Sequence, residues 1–124
     1  MTAQEVYELA LALLDDIESD GTVSDDTEDS YGARAIPFIN SLQHEIAYAE
    51  GIEPKKITSL SDELVISKDS CYRVLQYGLA AKFALADQSM DMYSVYQSEY
   101  KTALRTIKAS ESSITDSINI MSGF

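Results

Sequence analysis

The one pattern with the spacing of an ion site lies in an acidic stretch near the N-terminus. Asp16, Glu18 and Asp20 alternate, Gly21 follows, and Val23 stands two residues further on, as in the first eight positions of a calcium-binding helix–loop–helix. Alternating oxygens can wrap a cation there, while glycine permits the sharp turn. Two positions depart from that pattern: the third is Glu18 rather than Asp or Asn, and the twelfth is Thr27, with Glu28 one residue late, so the bidentate carboxylate that closes such a site is out of register. Asp25, Asp26, Glu28 and Asp29 complete an acidic run, and a solvated loop accounts for it as simply as an ion site does.

Other chemistry is sparsely provided. His44 is the only histidine, so any Ser-His-Asp or Cys-His arrangement would have to be built around it; within Gln43-His44-Glu45 it reads as a surface or boundary residue. Cys71 is the only cysteine, which excludes an intramolecular disulfide and reads as packing rather than a reactive thiol. There is no glycine-rich phosphate loop and no Cys/His metal spacing. The expectation is a protein that binds other chains, with neither enzymatic activity nor a cofactor.

The elements that would position these residues are helical. Thr2-Ala3-Gln4-Glu5 fits a capping box, and Val6, Leu9, Ala10, Leu13 and Ile17 form a stripe that predicts a first helix ending near Ser19. Residues 19–30 form the acidic loop. A second helix is predicted from about Ser30 to Glu50, with Ile36, Ile39, Leu42 and Ile46 on one face, Pro37 at a kink or in the first turn of a shorter helix, and Gly51 as its stop. A connector over 51–66 precedes a third helix, capped by Ser67 or Asp69 and running to about Asp87. Its middle is apolar nearly all round, as in a central buried helix. Gly78 inside it implies close approach of a neighbour. Ser89 caps a fourth helix on which Tyr93, Tyr96, Tyr100, Leu104 and Ile107 recur at helical spacing. The tyrosines serve as a core face or a subunit interface.

The expected fold is therefore all-α: an antiparallel bundle of about four helices over residues 1–110, with an extended apolar C-terminal tail over 111–124. Ile114, Ile118, Ile120, Met121 and Phe124 make that tail a docking segment. A formal net charge of −12 is concentrated at one end: residues 1–30 hold ten acids and no base, while the remaining eleven acids face all nine bases, a net of −2. Phosphate contact requires a basic face, so nonspecific nucleic-acid binding is excluded. The run Leu9 to Leu14 follows Glu5 and Glu8 and precedes Asp15, unlike a signal peptide, and no apolar run approaches the roughly 18 residues of a membrane span.

The stretch from Ile57 to Ile107 resembles the head–tail connector (adaptor) proteins of tailed bacteriophages. The resemblance rests on Ile57-Thr58-Ser59-Leu60 with Asp62-Glu63-Leu64, on Leu75-Gln76-Tyr77-Gly78-Leu79-Ala80-Ala81-Lys82-Phe83-Ala84, and on the turn Asp87-Gln88-Ser89-Met90. Tyr93, Tyr96 and Tyr100 followed by Ala103-Leu104 complete it, and Phe38-Ile39-Asn40 in the preceding helix is also similar. The resemblance implies a virion protein, present in the host cytoplasm during assembly, that forms a homo-oligomeric ring beneath the portal. Its partners would be the portal and a tail-side completion protein, with DNA passing through the lumen without specific binding. The alternative from residue type alone is a helical protein-binding or calcium-responsive module using residues 16–28.

Overall fold

A computed structural model describes residues 1–15 and 31–123, and the side chains of residues 1–15 and 31–107. The described residues build one helical bundle: α1 (Ala3–Leu13), α2 (Ala33–Glu50), α3 and α4 (Met90–Gly123), with a non-helical connector between α2 and α3. Helix α3 is a continuous run of three parts, Lys68–Ser70, a π-helical turn at Cys71–Leu75, and Gln76–Ala86.

Helix α1 starts as its sequence predicts. The Glu5 amide donates to Thr2 Oγ1 at 3.3 Å and the Thr2 amide to Glu5 Oε1 at 3.1 Å, so both halves of the capping box form. The Thr2 amide, and with it the Thr2 hydroxyl at 3.1 Å, donate to Glu5 Oε1 and hold that carboxyl below its ordinary range. Two other first-turn amides are taken by the connector, Ala3 by the Asp62 carbonyl at 3.0 Å and Gln4 by that of Leu60 at 2.7 Å. The helix ends at Leu13, short of the predicted Ser19. Asp15 turns left-handed at φ 61°, a conformation that a short polar side chain tolerates. The buried face is centred on Val6, Tyr7, Ala10 and Leu11 rather than on Leu9 and Leu13, which are half-buried. Tyr7 sets that rotation by meeting the Phe83 ring edge-on at 6.1 Å.

Helix α2 buries Ile39, Leu42 and Ile46 as predicted, and Ile36 is half-buried. It begins at Ala33, after a π-helical turn at Tyr31 and Gly32. Pro37 is the fifth residue of the helix and is exposed, so its missing amide removes only the bond to the Ala33 carbonyl. Gly51 ends the helix at φ 74°, and the Ile52 amide reaches back to the Ala47 carbonyl at 3.0 Å.

Helices α3 and α4 form the predicted antiparallel hairpin. At the tip the Ser89 amide bonds the Ala84 carbonyl at 2.9 Å and the Gln88 amide that of Leu85 at 3.0 Å, the same closure as at Gly51. Here Gln88 occupies the left-handed position at φ 61°. Lower down, Gly78 meets both neighbours. A Cβ on it would lie 2.7 Å from Tyr100 Cδ1 and 2.9 Å from Leu42 Cδ2. Gly78→Ala should therefore destabilise the fold by about 1–2 kcal/mol, because overpacking outweighs the gain in helix propensity. Urea unfolding measures this, and a variant as stable as wild type would contradict the contact.

The core is aromatic at one end. Phe83 stacks on Tyr31 at 4.5 Å and lies 5.8 Å from Phe38, in addition to its contact with Tyr7. Tyr31 is tied to the hairpin tip by a hydrogen bond from its hydroxyl to Asp87 Oδ2. Aliphatic side chains from α1, α2, α3 and the connector fill the rest, down to Leu104 with Ile107 packed on its edge.

The main departure from expectation is at the C-terminus. The extended tail predicted beyond Ser110 is a continuation of α4, which stays helical to Gly123. At 1.5 Å per residue α4 is roughly 50 Å long against about 28 Å for α3, so it passes the far end of its hairpin partner by about 20 Å.

Candidate interaction surfaces

Among the described residues no cluster of three or more His, Cys, Asp or Glu side chains is placed to hold a metal ion. The sequence candidates for one, Asp16, Glu18 and Asp20, lie outside the described residues, as do Asp25, Asp26, Glu28 and Asp29 of the acidic run. His44 is exposed on α2. Cys71 is fully buried in the π-helical turn, and burial pushes its thiol up to about 11. A thiol held above its ordinary value has little thiolate at pH 8. Native protein should accordingly resist alkylation by iodoacetamide at that pH and react only in denaturant; rapid labelling of the folded chain would refute its enclosure.

The tyrosines on α4 divide between inside and edge. Tyr100 is 3% exposed, packs on Gly78 and donates its hydroxyl to Glu45 on α2. Burial first, and that bond second, push its phenol well above the usual range. Tyr96 donates to the Leu13 carbonyl at 2.6 Å, closing an open acceptor at the end of α1, and its ring lies 6.4 Å from Tyr77. Tyr93 is half-buried. Only the Tyr100 end of the stripe is internal: Tyr100, named as an interface candidate by its spacing, has no surface left for a partner, while Tyr93 and Tyr96 keep part of theirs. Of the tail candidates, Ile114, Ile118, Ile120 and Met121 lie on the backbone of α4, and Phe124 lies outside the described residues.

Among the described residues the most exposed apolar side chains instead stand at the hairpin tip and near the end of α2, which periodicity did not single out, and Val65 and Tyr72 are exposed elsewhere. Leu85, Met90 and Val95 are 47%, 53% and 58% exposed around the hairpin tip, where Asp91, Met92, Val95 and Tyr96 line a recess of about 200 Å³. Tyr48 is 79% exposed near the C-terminal end of α2, with Ile52 just beyond it. Val95 could have been found, because it falls between Tyr93 and Tyr96 on the opposite side of the helix, where a polar residue is expected.

A polar clasp holds the connector against α2. Asn40 donates through Nδ2 to the Ile57 carbonyl at 3.0 Å and accepts the Ile57 amide at Oδ1 at 2.8 Å, so one side chain satisfies both backbone groups of that residue. Gln43 Nε2 donates to Asn40 Oδ1 at 2.9 Å and to the Lys55 carbonyl at 2.7 Å. Beside the clasp a recess of about 250 Å³ is lined by Asn40, Gln43, His44, Pro54, Lys55 and Lys56. Further along the connector, Asp62 Oδ2 accepts the amides of Thr58 at 2.9 Å and Ser59 at 3.1 Å, which hold its carboxyl below the ordinary range.

No family model matches the chain, and no curated protein or solved structure matches it either. No helix among the described residues is long and apolar enough to cross a membrane.

Proposed function

We propose that this chain is a structural head–tail connector of a tailed bacteriophage or prophage, a subunit of a ring that sits under the portal and joins the DNA-filled head to the tail. The observation that carries the reading is the hairpin. The residues behind the resemblance occupy packing positions: Gly78 against Tyr100, Phe83 at the centre of the aromatic cluster, and Asp87-Gln88-Ser89 at the turn. Asn40, on the preceding helix, holds Ile57, the first residue of the resembling stretch. Packing of this kind supports a building block more than a catalyst.

In this reading α4 carries the docking segment. Its last turns pass the end of α3, and Ile114, Ile118 and Met121 extend the spacing set by Tyr100, Leu104 and Ile107. They would meet the portal or a neighbouring subunit, with the tail-side completion protein on the opposite face of the ring. Acids concentrated in residues 1–30 suit a conduit, since they repel phosphate and keep the duplex from adhering as it passes. Assembly would take place in the host cytoplasm and end in the virion.

Truncation after Ser110 tests the docking role. The shortened chain should keep its helical circular dichroism but no longer co-sediment with portal rings encoded by the same genome. Undiminished co-sedimentation would remove the tail from the contact.

A further inference from the structure

The recess beside the clasp differs from the rest of this acidic protein. Lys55 and Lys56 are the only adjacent pair of bases in the sequence, both are exposed, and exposed His44 stands on the same wall. Neither lysine makes an ion pair among the described residues. Glu53 precedes them in the chain, and Asp62, the acid whose carboxyl Lys55 helps to hold low, is already occupied by the Thr58 and Ser59 amides.

The backbone that carries these two charges is fixed. Gln43 holds the Lys55 carbonyl and Asn40 holds Ile57 on both sides of its peptide, so less backbone freedom is lost when a ligand engages the lysines. Gln43 adds an unused acceptor to the wall: the residue is 1% exposed, yet its Oε1 has no hydrogen-bond partner. Paired ammonium groups beside an open acceptor are complementary to paired carboxylates on a chain that also offers peptide N–H groups. That is an acidic peptide.

The sequence contains such a peptide. Residues 16–29 carry seven acids and no base, with neighbouring pairs at Asp25-Asp26 and Glu28-Asp29, whereas residues 31–124 are nearly balanced at −2. Acidic surfaces repel each other when like meets like across a two-fold axis. A head-to-tail contact instead brings two different surfaces together, and such contacts close into rings. We propose that the recess formed by Lys55, Lys56, His44 and Gln43 receives the acidic stretch 16–29 of a second copy, as an electrostatic joint between neighbouring subunits. The proposal rests on the connector reading only in supplying the neighbour.

A fluorescein-labelled synthetic peptide with the sequence of residues 16–29 tests the recess directly, by anisotropy with the full chain at low salt. Wild type should bind it, with affinity falling as salt rises. K55E/K56E should weaken binding by about tenfold or more, while K101E/R105E, an equal charge change on α4, should leave it near wild type. All four residues are exposed, so both variants should fold, which circular dichroism verifies. Absence of wild-type binding, unchanged binding by K55E/K56E, or an equal loss in K101E/R105E would each overturn the proposal. The two readings fail separately. A ring that forms normally from K55E/K56E sinks the joint and spares the connector. Peptide captured at the recess by a chain that never joins a portal sinks the connector and spares the recess.

Discussion

Phe83→Ala is expected to cost about 3–5 kcal/mol, the usual range for removing a fully buried aromatic ring. Phe83 is 0% exposed, and three rings from three different parts of the chain converge on it: Tyr7 from α1, Tyr31 from the turn before α2, and Phe38 from α2. No neighbour can collapse into the space without breaking another contact. Tyr31 is held by its bond to Asp87, and Phe38 carries Lys82 Nζ above its face at 5.6 Å. Domains of this size have roughly 5–15 kcal/mol in total, so the variant should lose a large share of its stability. Its thermal midpoint should fall by roughly 10–20 °C. Phe83→Leu, which refills much of the volume, should recover more than half of the loss. A midpoint within a few degrees of wild type for Phe83→Ala would show that the aromatic cluster does not hold α1, α2 and α3 together.

Asn40→Ala is expected to follow, at about 2–4 kcal/mol, by a different mechanism. The substitution removes little apolar contact. It leaves the Ile57 amide and carbonyl without the partner that satisfied both, on a residue only 2% exposed, and it strips one of the two acceptors from Gln43 Nε2. A buried backbone group left unpaired is costlier than a hydrogen bond is favourable. Asn40→Asp keeps an acceptor for the Ile57 amide but loses the donor to the Ile57 carbonyl and sets a carboxylate against it, so it should be nearly as damaging. Hydrogen exchange gives the local readout: the Ile57 amide should be protected in wild type and exchange far faster in Asn40→Ala. Persistent protection at Ile57 would show that the connector is held by something other than the clasp.

The parts of this fold that were legible in the sequence are those governed by local rules. Thr2 and Glu5 state their own capping box, Gly51 announces a left-handed stop, and the apolar run from Val74 to Ala86 marks the central helix. Gly78 was legible for the same reason, since a glycine in a helix implies a close neighbour, although the sequence could not say that Tyr100 and Leu42 share it. Where a non-glycine residue takes the left-handed position, the local signal is silent. Asp15 and Gln88 both do so, and α1 stops at Leu13 although Leu14 and Ile17 prolong its apolar spacing. The helix continuing through residues 111–123 was hidden by its serines, which read as a loop while the isoleucine spacing beneath them is helical.

The candidate surfaces were less legible than the fold. The tyrosine stripe has the same spacing whether it faces a core or a partner, and only tertiary packing distinguishes Tyr100, enclosed by α2 and α3, from a residue at an interface. The clasp depends on side chains reaching backbone groups in a segment 12 to 17 residues away, which no periodicity encodes. Lys55 and Lys56 look like any solvated pair until the clasp fixes their backbone beside a recess.

Solution mass tests the central claim most directly. Multi-angle light scattering on the chain alone, and then mixed with the products of its neighbouring genes, should give a ring-sized mass or co-elution with a portal-sized oligomer. A monomer of 13.7 kDa that stays a monomer in both runs would contradict the connector reading.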